Sequence, residues 1–177
     1  MEKNEIIVMY GSDAKEMAKA ILRVAKIEQL IGNREKRIGL KPNLVVAKPA
    51  SSGATTHPEI LAGAIEYLQE QGYTDIAIME GSWVGDRTKQ AFKVCGYDKL
   101  AKQYGVELID TQQDGYRTYD CAGMKMDLCD SGMAVDFMIN IPVIKGHCQT
   151  GMTCALKNCK GLITNSEKRR FHTQGLH

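Results

Sequence analysis

The polar residues best suited to chemistry gather in three stretches of the sequence. Lys41-Pro42-Asn43 leads toward His57, Glu80-Gly81-Ser82 runs into Trp83, and Lys145-Gly146-His147 lies within a dense segment, residues 139–161. That segment also carries Asn140, Thr150, Thr153, Lys157, Asn158 and Lys160, spaced by Gly146, Gly151 and Gly161. Small residues let backbone amides approach a ligand, and such a loop at a helix N-terminus can hold an anion, with Lys145 or Lys157 adding charge. The P-loop order GxxxxGK[ST] is absent and no GxGxxG follows the first strand, so neither common nucleotide motif is written here. His57, His147 and His172 each stand in a glycine- or threonine-rich stretch and change charge near neutral pH. Trp83 reads equally as a packed aromatic and as a substrate platform. Lys160, Lys168, Arg169 and Arg170 read more readily as a solvated basic face near a helix end.

Positioning these residues requires a scaffold, and its elements show in the periodicity. Ile6-Ile7-Val8-Met9-Tyr10 reads as a first strand, followed by a helix from Ala14 whose start carries Asp13 and Glu16 at capping-box spacing. Residues 38–46 read as a strand that Pro42 ends near Lys41, because proline cannot donate to a ladder. Thr56, Pro58 and Glu59 announce a second helix with a capping box, running to Gly72. Residues 76–79 form the next strand, residues 88–105 a helical stretch split at Gly96, and residues 106–109 another strand. Tyr116 to Tyr119 and Met124 to Leu128 read as two short strands joined through Ala122-Gly123. Residues 135–141 are the most apolar run in the chain and are expected to form a central buried strand. A last helix is expected over residues 153–162.

Strands alternating with helices of this length imply right-handed crossovers. The expected fold is therefore α/β, an open, mostly parallel sheet with helices on both faces and a small β-hairpin insertion at residues 111–130, in a single domain over residues 1–177. In such sheets ligands sit outside the carboxyl ends of the strands, which would bring the three polar stretches to one side.

Composition narrows the partners. Twenty-three Lys and Arg against 21 Asp and Glu leave a formal charge of +2 over 177 residues, too small a field to mark a nucleic-acid binder. No run approaches the roughly 18 apolar residues of a membrane span, and the start lacks a secretory layout, so a cytoplasmic protein is expected. The six cysteines, at 95, 121, 129, 148, 154 and 159, contain no CxxC pair. They read as reduced thiols, buried or incidental, with a redox or metal role as the alternative, and neither a zinc ribbon nor a ferredoxin-type cluster is encoded.

Several of these motifs, in order, carry a family resemblance. Lys41-Pro42-Asn43-Leu44-Val45, Gly53-Ala54-Thr55-Thr56-His57-Pro58-Glu59, Glu80-Gly81-Ser82, Gly96-Tyr97, Ile139-Asn140-Ile141-Pro142 with Lys145-Gly146-His147, and Met152 through Asn158 with Gly161-Leu162-Ile163 resemble the prokaryotic domain of unknown function three-six-two. The resemblance covers about Arg37 to Leu176. It implies kinship with proteins that often carry an iron–sulfur module, and, because members continue further, that this chain is the N-terminal part of a longer protein. Where the family has Lys-Thr-His, this sequence has Lys145-Gly146-His147. A weaker resemblance, to nickel-pincer lactate racemases, rests on the order His147, Gly151, Lys157, His172. It implies Lys157 as the covalent cofactor lysine, His172 and His147 as metal ligands, and His57 and His147 as acid and base for hydride or proton transfer on a hydroxy acid.

Two functional classes follow, with an inactive scaffold as a third. One is a ligand- or metal-binding, redox-associated module that takes a small anion or metal and relies on a redox partner. The other is an enzyme core built on Lys157, His147 and His57. In either, Lys41, Asn43, Glu80, Ser82, Lys145, Thr153 and Asn158 would contact the ligand or cofactor.

Overall fold

A computed structural model describes residues 4–173. Its centre is a four-stranded parallel sheet built from β1 (Ile38–Pro42), β2 (Ile76–Glu80), β3 (Glu107–Asp110) and β6 (Phe137–Ile141), in the order β3-β2-β1-β6. β1 and β2 are buried throughout, as a parallel strand covered on both faces must be. Between the sheet strands run α3 (Pro58–Glu70) and the pair α4 (Thr88–Val94) and α5 (Tyr97–Tyr104), separated at Gly96 with φ 78°. Leu61, Ile65 and Leu68 of α3 and Phe92, Tyr97 and Leu100 of α4 and α5 join Ile38, Leu40, Ile76 and Ile78 in one core. Each such aliphatic side chain contributes roughly 1.5–3 kcal/mol when removed from water. The expected α/β fold is the observed one.

From β3 the chain returns to β6 at the opposite edge through an antiparallel hairpin, β4 (Tyr116–Cys121) with β5 (Met124–Cys129), and the short α6 (Asp130–Met133). The hairpin turns where expected, with Ala122 and Gly123 both at positive φ, 55° and 84°, the geometry that matches strand twist in a two-residue loop. After β6 come two three-residue strands, β7 (Lys145–His147) and β8 (Gly151–Thr153), then α7 (Ala155–Asn158), a 3-10 turn at Cys159–Leu162 and α8 (Asn165–Thr173). Among the described residues no helix is long and apolar enough to cross a membrane.

Several local expectations are corrected. Residues 6–10 form no strand: the segment pairs with no sheet, and Ile6, Val8 and Tyr10 are exposed. Apolar alternation supplies a face, whereas a strand also needs a neighbour's ladder. The following helix is α1 (Ala14–Ala25), capped by Asp13 accepting from the Glu16 amide at 3.0 Å. Lys26, left-handed at φ 50°, divides it from α2 (Ile27–Ile31). The second capping box is absent, because the N-cap of α3 is His57 without a side-chain cap. Thr56 instead accepts from the Asn43 amide and donates to the Ile141 carbonyl, both at 2.8 Å. The most apolar run forms β6, which is an edge strand of intermediate burial. Hydropathy marks burial potential and is silent on strand order. The single helix expected over residues 153–162 is broken into β8, α7 and a 3-10 turn, and a further helix, α8, carries Lys168, Arg169 and Arg170.

Candidate functional site

All four parallel strands end on the same side, so Pro42, Glu80, Asp110 and Ile141 release their loops together. Beneath those loops lies a buried polar network. The Lys41 ammonium meets the Glu80 carboxylate at 2.8 Å with both side chains out of water, and it also donates to the Pro42 carbonyl at 2.8 Å. Glu80 accepts further from the Leu44 amide at 2.8 Å and the Gly81 amide at 2.7 Å, so its lone pairs are largely spent. Burial pulls the Lys41 ammonium below the ordinary lysine range, and Glu80 opposes that pull. Asn158 stitches α7 to the same floor, donating to the Lys41 carbonyl at 3.0 Å and to Asn140 at 2.7 Å. Gly161 closes over the pair. A Cβ there would lie 2.6 Å from Lys41 Cε and would overlap Glu80, so only glycine allows this approach.

Above the floor opens a cleft of about 740 Å³, bordered by Asn43, Glu80, Ser82, Lys145, His147, Thr153, Lys157, Asn158 and His172, all from the predicted set. The three polar stretches thus converge as the strand-end rule requires. Lys41 lies under this cleft, while Ser82 is held by its hydroxyl donating to the Leu44 carbonyl at 2.6 Å. His57 is not brought to it. Its exposed ring sits at the start of α3, 3.8 Å from Glu59, and it does not line the cleft, so His57 and His147 are not assembled as an acid–base pair.

The cleft is strongly cationic. Lys145 donates to the Asn43 side chain at 2.7 Å and to the Ala54 carbonyl; burial, then the nearby Lys157 charge, lowers its pKa. Lys157 is half-buried beside the Cys148 thiol, its pKa lowered by burial, and among the described residues no hydrogen bond or carboxylate engages its ammonium. Lys160 is lowered by burial and then by Lys157, and approaches His172 Nε2 at 3.4 Å. The Thr153 side chain, 4% exposed, carries a hydroxyl with no hydrogen-bond partner. Buried polar atoms are nearly always paired, so this hydroxyl stands out among the described residues.

The two histidines are held neutral by their surroundings. Burial and then the neighbouring lysines lower both His147 and His172 below 6.5. His147 Nδ1 accepts from the Gln149 and Thr150 amides at 3.1 and 3.2 Å, which places the ring proton on Nε2, the atom a metal would otherwise take. No cluster of three His, Cys, Asp or Glu with metal-binding geometry occurs among the described residues.

Lys168 escaped the sequence reading. It is buried, not part of a solvated face, and donates to the Gly81 and Ser82 carbonyls at 3.0 and 3.1 Å. A signal for it existed: Thr164 and Glu167 stand at capping-box spacing, and the Glu167 amide does donate to the Thr164 hydroxyl at 3.3 Å. Lys160 and Arg169, read the same way, border the cleft.

Comparison with known proteins adds kinship. A thylakoid-associated protein of Synechocystis sp. is 26% identical over 138 residues, which is 78% of this chain and 42% of that protein's length. No solved structure matches, and the racemase resemblance is not shown. The family described as "Domain of unknown function (DUF362)" matches residues 38–177, so from β1 through the cleft, where every feature of the site lies, the chain belongs to that family.

Proposed function

We propose that the chain is a ligand-binding module whose cleft takes a small, multiply charged anion such as a phosphate. The observation that carries this is a group of lysines that no described carboxylate in the cleft neutralises. Among the described residues, Lys157 has no hydrogen-bond partner, Lys160 meets a neutral histidine and the Phe171 ring, and the single carboxylate lining the cleft, Glu80, is already spent on Lys41 and two amides. Cations desolvated beside one another raise the free energy of the empty site, and a bound anion relieves that repulsion while supplying charge-assisted hydrogen bonds. The orphan Thr153 hydroxyl gives such an anion a neutral donor. Isothermal titration with pyrophosphate tests this. Saturable binding that weakens with added salt and is lost in Lys157→Ala is expected; heat no greater than dilution would refute it.

A second reading rests on the state of Lys157 itself. A lysine desolvated by burial keeps a larger fraction of free amine, the condition for attack on a carbonyl. An anion that also bears a ketone would form an imine with Lys157 and release one water. Borohydride treatment with a 2-oxo acid should then add the reduced ligand's mass to the peptide containing Lys157, and unmodified peptide would exclude this chemistry.

A further inference from the structure

The cleft has an aromatic rim that the anion reading leaves unused. Trp83 borders it and is 52% exposed, although a large aromatic ring gains most from burial. Its position is fixed with care. The Trp83 amide donates to the Val45 carbonyl at 3.0 Å, and its carbonyl accepts from the Asp86 amide at 2.8 Å. Asp86 in turn accepts from the Ala47 amide at 2.9 Å, so the loop is tied to the chain leaving β1. The six-membered part of the indole rests on Gly85, where any Cβ would overlap three ring carbons. Gly85 is not among the glycines at positive φ, so its backbone does not demand glycine; the ring does. The indole is supported from below and open to the cleft, a preorganised stacking surface.

We propose that the anion taken by this cleft carries a planar aromatic base, with its phosphates at Lys157 and Thr153 and its ring stacked on Trp83: a nucleoside diphosphate or a close relative in shape. The inference rests on the anion-binding reading and narrows its substrate class. A cleft of about 740 Å³ falls in the range that encloses most of a ligand of that size. Neither a glycine-rich nucleotide motif nor base-edge readout is involved; stacking tolerates any base, because every base has a π-face.

Trp83 is the only tryptophan in the sequence, so its fluorescence reports this one position. The test titrates the protein with pyrophosphate, ADP and ribose 5-phosphate, following both emission and heat. ADP is expected to quench Trp83 and to bind about tenfold more tightly than pyrophosphate, the gain that base stacking on one ring supplies. Trp83→Ala should erase that advantage and leave pyrophosphate affinity unchanged, Trp83→Phe should keep most of it, and Gly85→Ala, which displaces the ring, should behave like the alanine variant. ADP binding no better than pyrophosphate or ribose 5-phosphate, with unaltered emission, overturns the aromatic subsite and leaves the anion site standing. An ADP advantage that survives in Trp83→Ala overturns it equally. If neither pyrophosphate nor ADP binds, the anion reading itself fails and this inference falls with it.

Discussion

Two sets of lysines occupy the same end of the sheet and differ in what they face. Lys41 and Lys168 are buried in the floor, where a carboxylate and backbone carbonyls take up every charge. Lys145, Lys157 and Lys160 form the walls, half-buried and pushed toward neutrality by burial, with Lys157 adding its repulsion to the other two. One set is solvated by the protein and belongs to its stability. The other is under-solvated and is the set to which the proposed anion is assigned. Positive charge alone therefore does not locate the site; Lys157, which no described hydrogen bond or carboxylate engages, does.

The contrast is broken most severely in the floor. Lys41→Met strands the Glu80 carboxylate in a dry environment and should cost about 3–5 kcal/mol, the usual penalty for halving a buried pair, measured by urea unfolding. The double variant Lys41→Met with Glu80→Leu should recover most of that loss; failure to recover would mean the pair does more than neutralise itself. Gly161→Ala comes next. Its methyl group must displace Lys41 and Glu80 and should cost about 1–3 kcal/mol, as overpacking usually does. In the wall, Lys157→Ala should change unfolding free energy by no more than about 0.5 kcal/mol while abolishing pyrophosphate binding. A large stability loss there would move Lys157 into the structural set.

The smallest effect is the most diagnostic of sign. His147 and His172 have folded pKa values below 6.5, so in the empty protein the unfolded chain takes up their protons first and stability falls as pH drops below 6.5. With an anion bound the same protons are welcomed. Sulfate, whose charge stays fixed over this range, should therefore bind more tightly as pH falls through the histidines' depressed range. His147→Gln should flatten that rise. Sulfate affinity independent of pH would show that neither ring faces the ligand.

Much of the floor was legible in the sequence because it obeys rules that act along the chain. Strand, turn and helix signals from Ile38 to Asp110 are local, and the strand-end rule then places Asn43, Glu80 and Lys145 together without any knowledge of side-chain contacts. His57 failed the same test: it follows β1 in sequence, yet it caps α3 and turns to solvent. The parts contributed after β6 were harder. Lys168 looked like one more charge in a basic run, since its burial depends on carbonyls of Gly81 and Ser82 that no local pattern connects to it. The broken helix after Thr153 was likewise invisible, because a helical pattern does not record that Asn158 must reach two strands at once.

The link between Lys168 and Ser82 spans 86 residues of sequence, and this sets the order in which the molecule can become functional. On a ribosome the sheet from β1 to β3 can pair as soon as it emerges, but the carbonyls at the end of β2 wait for a cation synthesised near the far end of the described chain. Until α8 docks, the cleft lacks a wall and its floor lacks a lid. Binding competence should therefore arrive as a late, discrete event in synthesis, after the sheet has already formed.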